Sequence, residues 1–402
     1  MSPARWPDAA WLVAEGDRLL GFARASPHPA GGFGWLDDRG RLDPGQPRPL
    51  YVTCRMTHVF ALAHRLGKPW AGPLVDHGLA ALSGPFRDEE YGGWFAALAA
   101  DGAPVTEKSA YEHAFVVLAA SSAAAADRPG ATDLLEEALA VLDRHFWDEQ
   151  HGMLLDRWDR AFAVPDAYRG ANANMHGVEA LLAAAEVTGS VVLRRRALRI
   201  TARLVHEVAS RFGWRVPEHF DAGWHPLPDY NREEPAHPFR PFGATVGHWF
   251  EWARLAASLH VALRDPPGWL LDDARALFAA AAATWSCDGT DGFVYTVDWD
   301  GRPVVRQRMH WVVAEAIGAA AVLGEVTGGS SYDAWTERLW RYADAFLLDR
   351  EQGSWHHELG PDNRPANTVW HGKPDVYHAF QATLLSRLPL ALTGSSDLAP
   401  GG

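Results

Sequence analysis

The chain reads as an all-α protein, an (α/α)6 barrel: a toroid of six helix pairs with short β-hairpins in the connections. Three observations lead there. Ala-rich, nearly all-apolar helical segments recur along the 402 residues, each with a histidine near its start; a fixed recurrence of this kind marks a repeat architecture. Successive histidines lie 55 to 72 residues apart, a span that suits two helices and their connections. The intervening segments carry polar or charged faces, whereas the histidine-bearing ones are apolar all round, as buried helices are.

In chain order, Asp8–Ala25 is the partner helix that closes the ring. TCRMTHVFALA from Thr53 carries His58 and is followed by Pro73–Leu82. KSAYEHAFVVLAA from Lys108 carries His113, with Asp133–His145 after it. NANMHGVEALLAAAEVTG from Asn172 carries His176; its partner Val192–Ser210 shows a basic face of Arg194, Arg195, Arg196 and Arg199. ATVGHWFEWARLAASL from Ala244 carries His248, followed by Pro267–Trp285. RMHWVVAEAIGAAAVLGEVTG from Arg308 carries His310, followed by Tyr332–Leu347, and PDVYHAFQATLL from Pro374 carries His378. The connections repeat a Gly–aromatic pattern: YGGWF at Tyr91, HGMLLDRW at His151, DGFVYTVDWDGRPVV at Asp291 and QGSWHHEL at Gln352. The third has strands flanking Asp300-Gly301, a strong hairpin signal. These connections are expected at one mouth of the toroid. The Pro- and His-rich stretch Asp221–Phe242 is long enough to be a lid or binding loop. No interdomain linker is visible. Residues 1–392 read as one catalytic domain and 393–402 as a disordered tail.

Composition narrows the function. With 37 Lys+Arg against 50 Asp+Glu the formal charge is −13, which disfavours nucleic acid and anionic membranes as partners. No apolar run reaches the ~18 residues of a membrane span. Two cysteines, Cys54 and Cys287, exclude a disulfide framework and a thiolate zinc site. The N-terminus has no apolar signal region, so a cytoplasmic enzyme with reduced thiols is expected. Phosphate-loop, dinucleotide, nucleophile-elbow and HExxH signatures are absent.

What remains is a set of polar groups on apolar helices, where lone charges are rare unless paired or functional. His248 and Glu251, His176 and Glu179, Arg55 and His58, Asp375 and His378, and Trp311 and Glu315 each sit three or four apart and share a face. Arg55, Glu251 and Glu315 converging beside tryptophan would suit a polyhydroxylated ligand. Imidazoles are suited to moving protons on carbon next to a carbonyl. The blander reading holds for many of these residues. Any one of the 19 tryptophans is more often core than site. His58, His113 and His310 read as structural, each bonding a carbonyl of a neighbouring helix, and His206 and His260 as ordinary helix histidines. For His248 and His378 the balance tips to chemistry. HxxE occurs twice and can hold zinc, but no third ligand follows at helix spacing; no metal is expected.

These segments resemble the N-acylglucosamine 2-epimerase superfamily, closest to the aldose–ketose isomerases that interconvert mannose and fructose. The likeness runs from Gly32-Phe-Gly-Trp-Leu to Arg387-Leu-Pro-Leu. It includes Leu74-Val-Asp-His-Gly, Tyr91-Gly-Gly-Trp, Gly170-Ala-Asn-Ala-Asn-Met-His176, Leu227-Pro-Asp-Tyr-Asn231, Gly247-His-Trp-Phe-Glu-Trp252 and Val294-Tyr-Thr-Val-Asp-Trp299. The resemblance implies an (α/α)6 barrel with His248 and His378 as acid/base pair. It places Arg55, Asn172, His176, Glu251 and Glu315 around the sugar, with Tyr111 and Trp311 shaping the pocket. His310 stands where related isomerases can carry arginine and is given no catalytic role. Trp355-His-His-Glu and Lys373-Pro-Asp depart from the glutamine-containing versions of the branch that handles a sulfonated sugar. This favours a neutral hexose, while Arg240 keeps the sulfonate open. The expected reaction is reversible isomerisation of D-mannose and D-fructose, and of D-lyxose and D-xylulose, through a cis-enediol. His248 relays a proton to the ring oxygen, His378 carries the C2 proton to C1, and Arg55 stabilises the enediolate. Glu251 and Glu315 orient histidines or bind hydroxyls. No cofactor, metal or nucleotide is required. The partner is a monosaccharide, and a homo-oligomer stays open. Alternatives are 2-epimerisation of glucose, cellobiose or N-acetylglucosamine; sulfoquinovose isomerisation; and, more remotely, a glycoside hydrolase on the same toroid. A protein-binding role ranks last, because no sustained heptad appears.

Overall fold

A computed structural model describes residues 6–388 and 390; the expected tail 393–402 lies outside the described residues. Twelve α-helices occur among them: α1 (Ala9–Ala23), α2 (Leu50–Arg65), α3 (Gly72–Leu82), α4 (Ala110–Ala125), α5 (Ala131–Val141), α6 (Ala171–Thr188), α7 (Val191–Thr201), α8 (Val246–Ala262), α9 (Trp269–Ala282), α10 (His310–Thr327), α11 (Ser330–Tyr342) and α12 (Tyr377–Leu385). This is the all-α (α/α)6 succession that the repeats predict.

The two helix types differ as their sequences require. In α2, α4, α6, α8, α10 and α12 most residues are buried. α5 buries only Ala131, Leu134, Leu135 and Ala138, one stripe at helical period, and α9 repeats this with Leu270, Asp273, Ala274, Leu277, Phe278 and Ala281. Stops are equally local. Glu186-Val-Thr-Gly189 and Glu325-Val-Thr-Gly328 end α6 and α10, with the glycines left-handed at φ +71° and +66°. α5 and α11 run on into π-helical turns, Leu142–Phe146 and Ala343–Leu347.

The chain forms two compact units. The N-terminal unit (residues 23–201 and 221–224) packs α2, α4 and α6 side by side, each backed by α3, α5 or α7. In the C-terminal unit (6–22, 202–220 and 225–388) α10 lies between α8 and α12, with α9 and α11 as the backing helices. There α1 packs on α12, where Gly16 faces Thr383 and Phe380. The strands are ladders of two or three residues. The expected hairpin is present: Thr296–Val297 pairs with Pro303–Val305 across Gly301 (φ +83°), and Ala244–Thr245 adds a third strand before α8.

The Gly–aromatic connections conceal a repeated ion-pair clamp. An aspartate opens the turn and a cation 20 to 24 residues later folds back on it. Lys108 Nζ donates to Asp88 (3.0 Å) and to the Gly92 carbonyl (2.8 Å). Lys373 Nζ does the same to Asp349 (2.6 Å) and Gly353 (2.8 Å), and Arg308 binds Asp288 (2.8 Å). Lys108 and Asp88 are fully buried. Burial pushes the Asp88 carboxyl up, but hydrogen bonds from Arg160 and Lys108 outweigh it and hold it well below the usual range. His113 lies in the same unit. Its Nδ1–H donates to the Ser109 carbonyl (2.6 Å) and its Nε2 accepts from Trp94 N–H (3.2 Å). Burial pushes this imidazole down to about 3.

Both depressed groups act in the same direction. Each contributes fully above its unfolded value, ~6.5 for histidine and ~3.9 for aspartate. The contribution declines as pH falls toward the native value, because the unfolded chain then binds more protons. The midpoint of urea unfolding should fall between pH 7 and pH 5. In a His113→Gln variant that decline should be shallower; an unchanged slope would contradict the assignment.

Candidate active site

In the C-terminal unit the ladder at Ala244–Thr245 sets the start of α8, which places His248 in its first turn. His248 Nδ1 bonds Glu218 Oε1 at 2.9 Å. His378, second residue of α12, bonds Glu315 Oε1 through Nδ1 at 2.7 Å. Between the two imidazoles lies the Trp311 indole, with ring centroids 5.2 Å from His248 and 5.8 Å from His378, tilted 37° and 36°. Trp311 seats there because the residue before His248 is glycine. A Cβ at Gly247 would come within 2.2 Å of the indole ring.

The carboxylates are tied together beneath. Glu315 Oε2 accepts from Arg254 Nε at 2.9 Å, and Arg254 also approaches Glu251 at 3.5 Å. All three are buried. One guanidinium is thus shared by two carboxylates and leaves Glu315's other oxygen for His378. A second imidazole pair stands beside it: His310 stacks on His357 at 3.8 Å and meets His378 edge-on at 6.4 Å. Burial drives the His357 imidazole well below its usual value. Each histidine with Nδ1 on a carboxylate is held in one tautomer, with Nε2 as the basic nitrogen. Such a ring can accept and return a proton.

In the N-terminal unit Arg55 on α2 donates to the Tyr111 hydroxyl on α4 (3.1 Å), and its guanidinium lies over the rings of Tyr51 and Phe115. His176 on α6 meets Tyr111 edge-on at 5.3 Å and Phe115 at 4.7 Å, with Nδ1 3.4 Å from Glu179. Asn172 Oδ1 is enclosed and has no hydrogen-bond partner among the described residues.

The nine candidate residues therefore fall into two groups, described separately: His248, Glu251, Trp311, Glu315 and His378 in one unit, and Arg55, Tyr111, Asn172 and His176 in the other. Three expectations about partners and faces need correction. His248 takes its carboxylate from Glu218, thirty residues upstream across the long loop, and not from Glu251, whose partner is Arg254. Asp375 precedes α12 and accepts from Tyr377 N–H (3.0 Å); it does not share a helix face with His378. The structural histidines bond differently from expectation: His58 Nδ1 meets the Ser122 hydroxyl (2.6 Å), His113 the carbonyl of its own preceding turn, and His310 the His357 carbonyl (3.2 Å). Sequence reasoning missed Glu218, for which no local signal exists. It also missed Arg254, whose signal was present as a second charge, three residues after Glu251, on an apolar helix.

A Gly247→Ala variant should displace Trp311 while leaving α8 intact. We expect a fall in activity of about tenfold or more, since small misplacements at a site cost up to ~10²-fold, with little change in thermal midpoint and altered Trp fluorescence.

The helix-pair fold is shared with solved sugar isomerase and epimerase structures. The N-acylglucosamine 2-epimerase (GlcNAc 2-epimerase) family matches residues 31–382; the chain belongs to that family. It is 55% identical over 402 residues to the D-mannose isomerase of Thermobifida fusca, covering 99% of each chain. It is 50% identical over 394 residues to the D-mannose isomerase of Pseudomonas cannabina pv. alisalensis, covering 97% of this chain and 95% of that one. A crystal structure of a D-mannose isomerase superposes with a TM-score of 0.88 at 29% identity, over 96% of this chain and 99% of the other.

Proposed function

We propose that this chain is an aldose–ketose isomerase that interconverts D-mannose and D-fructose. The observation that carries the reading is the pair His248 and His378, each held through Nδ1 by a buried carboxylate and both against Trp311. Full-length identity to two D-mannose isomerases supports the substrate.

In the proposed reaction His248 relays a proton to the ring oxygen as the sugar opens. His378 Nε2 then takes the C2 proton, and the electron pair moves to the C1=C2 bond of a cis-enediol. As that bond forms, the C1 carbonyl pair moves onto O1; the O2 proton then passes to O1, the O2 pair makes the C2=O bond, and the same imidazole returns its proton to C1. Glu315 holds His378 in the basic tautomer and steadies the imidazolium, as the carboxylate of a catalytic triad does; Glu218 does so for His248. Glu251 acts through Arg254. The two imidazoles supply both proton transfers, so the proposal calls for no metal or nucleotide. It extends to D-lyxose and D-xylulose, to residues 1–392 as one catalytic domain, and to a cytoplasmic location consistent with free thiols at Cys54 and Cys287. No helix among the described residues is long and apolar enough to cross a membrane.

A glycoside hydrolase needs two carboxyls placed for acid and nucleophile or base work. Here Glu218 and Glu315 are bonded to imidazoles and Glu251 is beside arginine, which argues for proton transfer on carbon. The test is D-mannose incubated with purified protein and EDTA, with products separated by chromatography. Fructose in equilibrium with mannose supports the reading; glucose without fructose would replace it with 2-epimerisation.

A further inference from the structure

His378 sits on a short helix. α12 has nine residues, against 18 in α10, and α1 packs on it. α1 also turns one face, Glu15, Arg18 and Phe22, toward the turn 349–355; spacings of three and four put these residues in line. Arg18 Nε and Nη2 donate to the two Glu15 oxygens (2.7 Å each), the strong two-pronged form of an ion pair. The same guanidinium donates through Nη1 to the Asp349 carbonyl and through Nη2 to the Ser354 carbonyl, both at 3.0 Å. Glu15 Oε1 accepts in addition from Trp355 Nε1 (2.8 Å). Phe22 seats the tip of the turn, where a Cβ at Gly353 would lie 2.9 Å from its ring.

The starts of two helices depend on this turn. The Asp349 carboxylate accepts from Lys373 Nζ (2.6 Å), and Lys373 leads through Pro374 and Asp375 into α12 and His378. Beyond the turn, Trp355 is followed by His356 and His357. The His357 carbonyl accepts from His310 N–H (3.1 Å), and its ring stacks on His310 at 3.8 Å. His310 opens α10 and directly precedes Trp311. One ion pair on the first helix therefore fixes the turn that carries both the His378 helix and the Trp311 helix.

The corresponding turn in the N-terminal unit closes without such a pair. Asp88 and Trp94 have the spacing of Asp349 and Trp355, and Lys108 clamps Asp88 as Lys373 clamps Asp349. Trp94 Nε1, however, donates to a backbone carbonyl, that of Leu82 (2.7 Å). A buried carboxylate is thus not needed to close the turn. Glu15 is nonetheless buried, and a buried charge is costly unless it is paired.

We propose that Glu15 and Arg18 are positioning residues for the isomerase site. They hold the 349–355 turn so that His378 Nδ1 stays on Glu315 and Trp311 stays between the two imidazoles. The inference rests on the isomerase reading and adds to it a determinant on the first helix, which touches none of the reacting groups.

The experiment compares wild type, Arg18→Met and the double variant Glu15→Gln with Arg18→Met on D-mannose, with circular dichroism and thermal melts to verify folding. Arg18→Met should lower kcat by about tenfold, the scale of a small misplacement at a site, and leave KM within about twofold. The proton NMR resonance of His378 Nδ1–H, assigned by its loss in His378→Ala, should move upfield as the bond to Glu315 lengthens. A packing role alone would lower the thermal midpoint and leave kcat and that resonance unchanged. The double variant strands no charge, so it should show the same two changes, and it decides should Arg18→Met not fold. Unchanged kcat in a folded variant, or a fall in kcat with the resonance in place, would overturn the positioning role and leave the isomerase reading standing. A wild type inert on mannose would overturn the isomerase reading, and the positioning role with it.

Discussion

His378→Ala should lose exchange of the C2 proton and with it isomerisation, by a factor of about 10³, within the range for removing a positioned acid–base group. The reasoning is geometric. His378 is bonded to a carboxylate, Glu315, and also touches the Trp311 ring; its neighbours His310 and His357 stack on each other. Arg254 continues to neutralise Glu315 in the variant, so the fold should survive. Circular dichroism and a thermal melt check that point, and single-turnover exchange in D2O checks the chemistry. His378→Ala protein that is folded and still exchanges C2 at the wild-type rate would contradict the role. Glu315→Gln should give a smaller loss, carried mostly in kcat, because the imidazole remains but its imidazolium is no longer stabilised.

Arg254→Met carries the largest expected effect on stability. Methionine fits the hydrocarbon volume, but two buried carboxylates, Glu251 and Glu315, lose their shared counter-charge. Breaking a buried pair by removing one partner costs about 3–5 kcal/mol. The loss should shrink at acid pH, where the stranded carboxyls can take up protons. It should also be partly restored by adding Glu251→Gln, which removes one of the uncompensated charges. Urea unfolding of wild type, single and double variants measures this directly. Additivity of the two substitutions would show that Arg254 and Glu251 are not coupled.

The fold was legible because its two helix types differ in the amount of polar surface they tolerate. A helix such as α10, apolar from Val312 to Leu323 apart from Glu315, can only be buried. One such as α5, with Leu134, Leu135 and Ala138 against Glu136 and Glu137, needs one face in water. The π-turns that extend α5 and α11 were not legible, since no residue type marks the change from one hydrogen-bond step to the next. The turn aspartates Asp88, Asp288 and Asp349 could be read as turn residues. Their buried cations could not, because each returns from 20 to 24 residues away after an intervening ladder.

The candidate site shows the same division. Trp311 and Glu315 were found because four residues on one helix must share a face. Glu218 was not, because a carboxylate at the far end of a loop has no fixed spacing from the histidine it serves. Tryptophan abundance was an ambiguous signal for a physical reason: Trp94, Trp249, Trp252, Trp340 and Trp355 are fully buried, so the indoles fill the core at least as much as they line a site.

The most direct test of the account is NMR of D-mannose incubated with the protein in D2O in the presence of EDTA. Proton transfer through an enediol by an imidazole that exchanges with solvent predicts D-fructose carrying deuterium at C1, formed at a rate EDTA leaves unchanged. Fructose formed with no deuterium at C1 under multiple-turnover conditions, or activity abolished by EDTA and restored by a divalent metal, would contradict it.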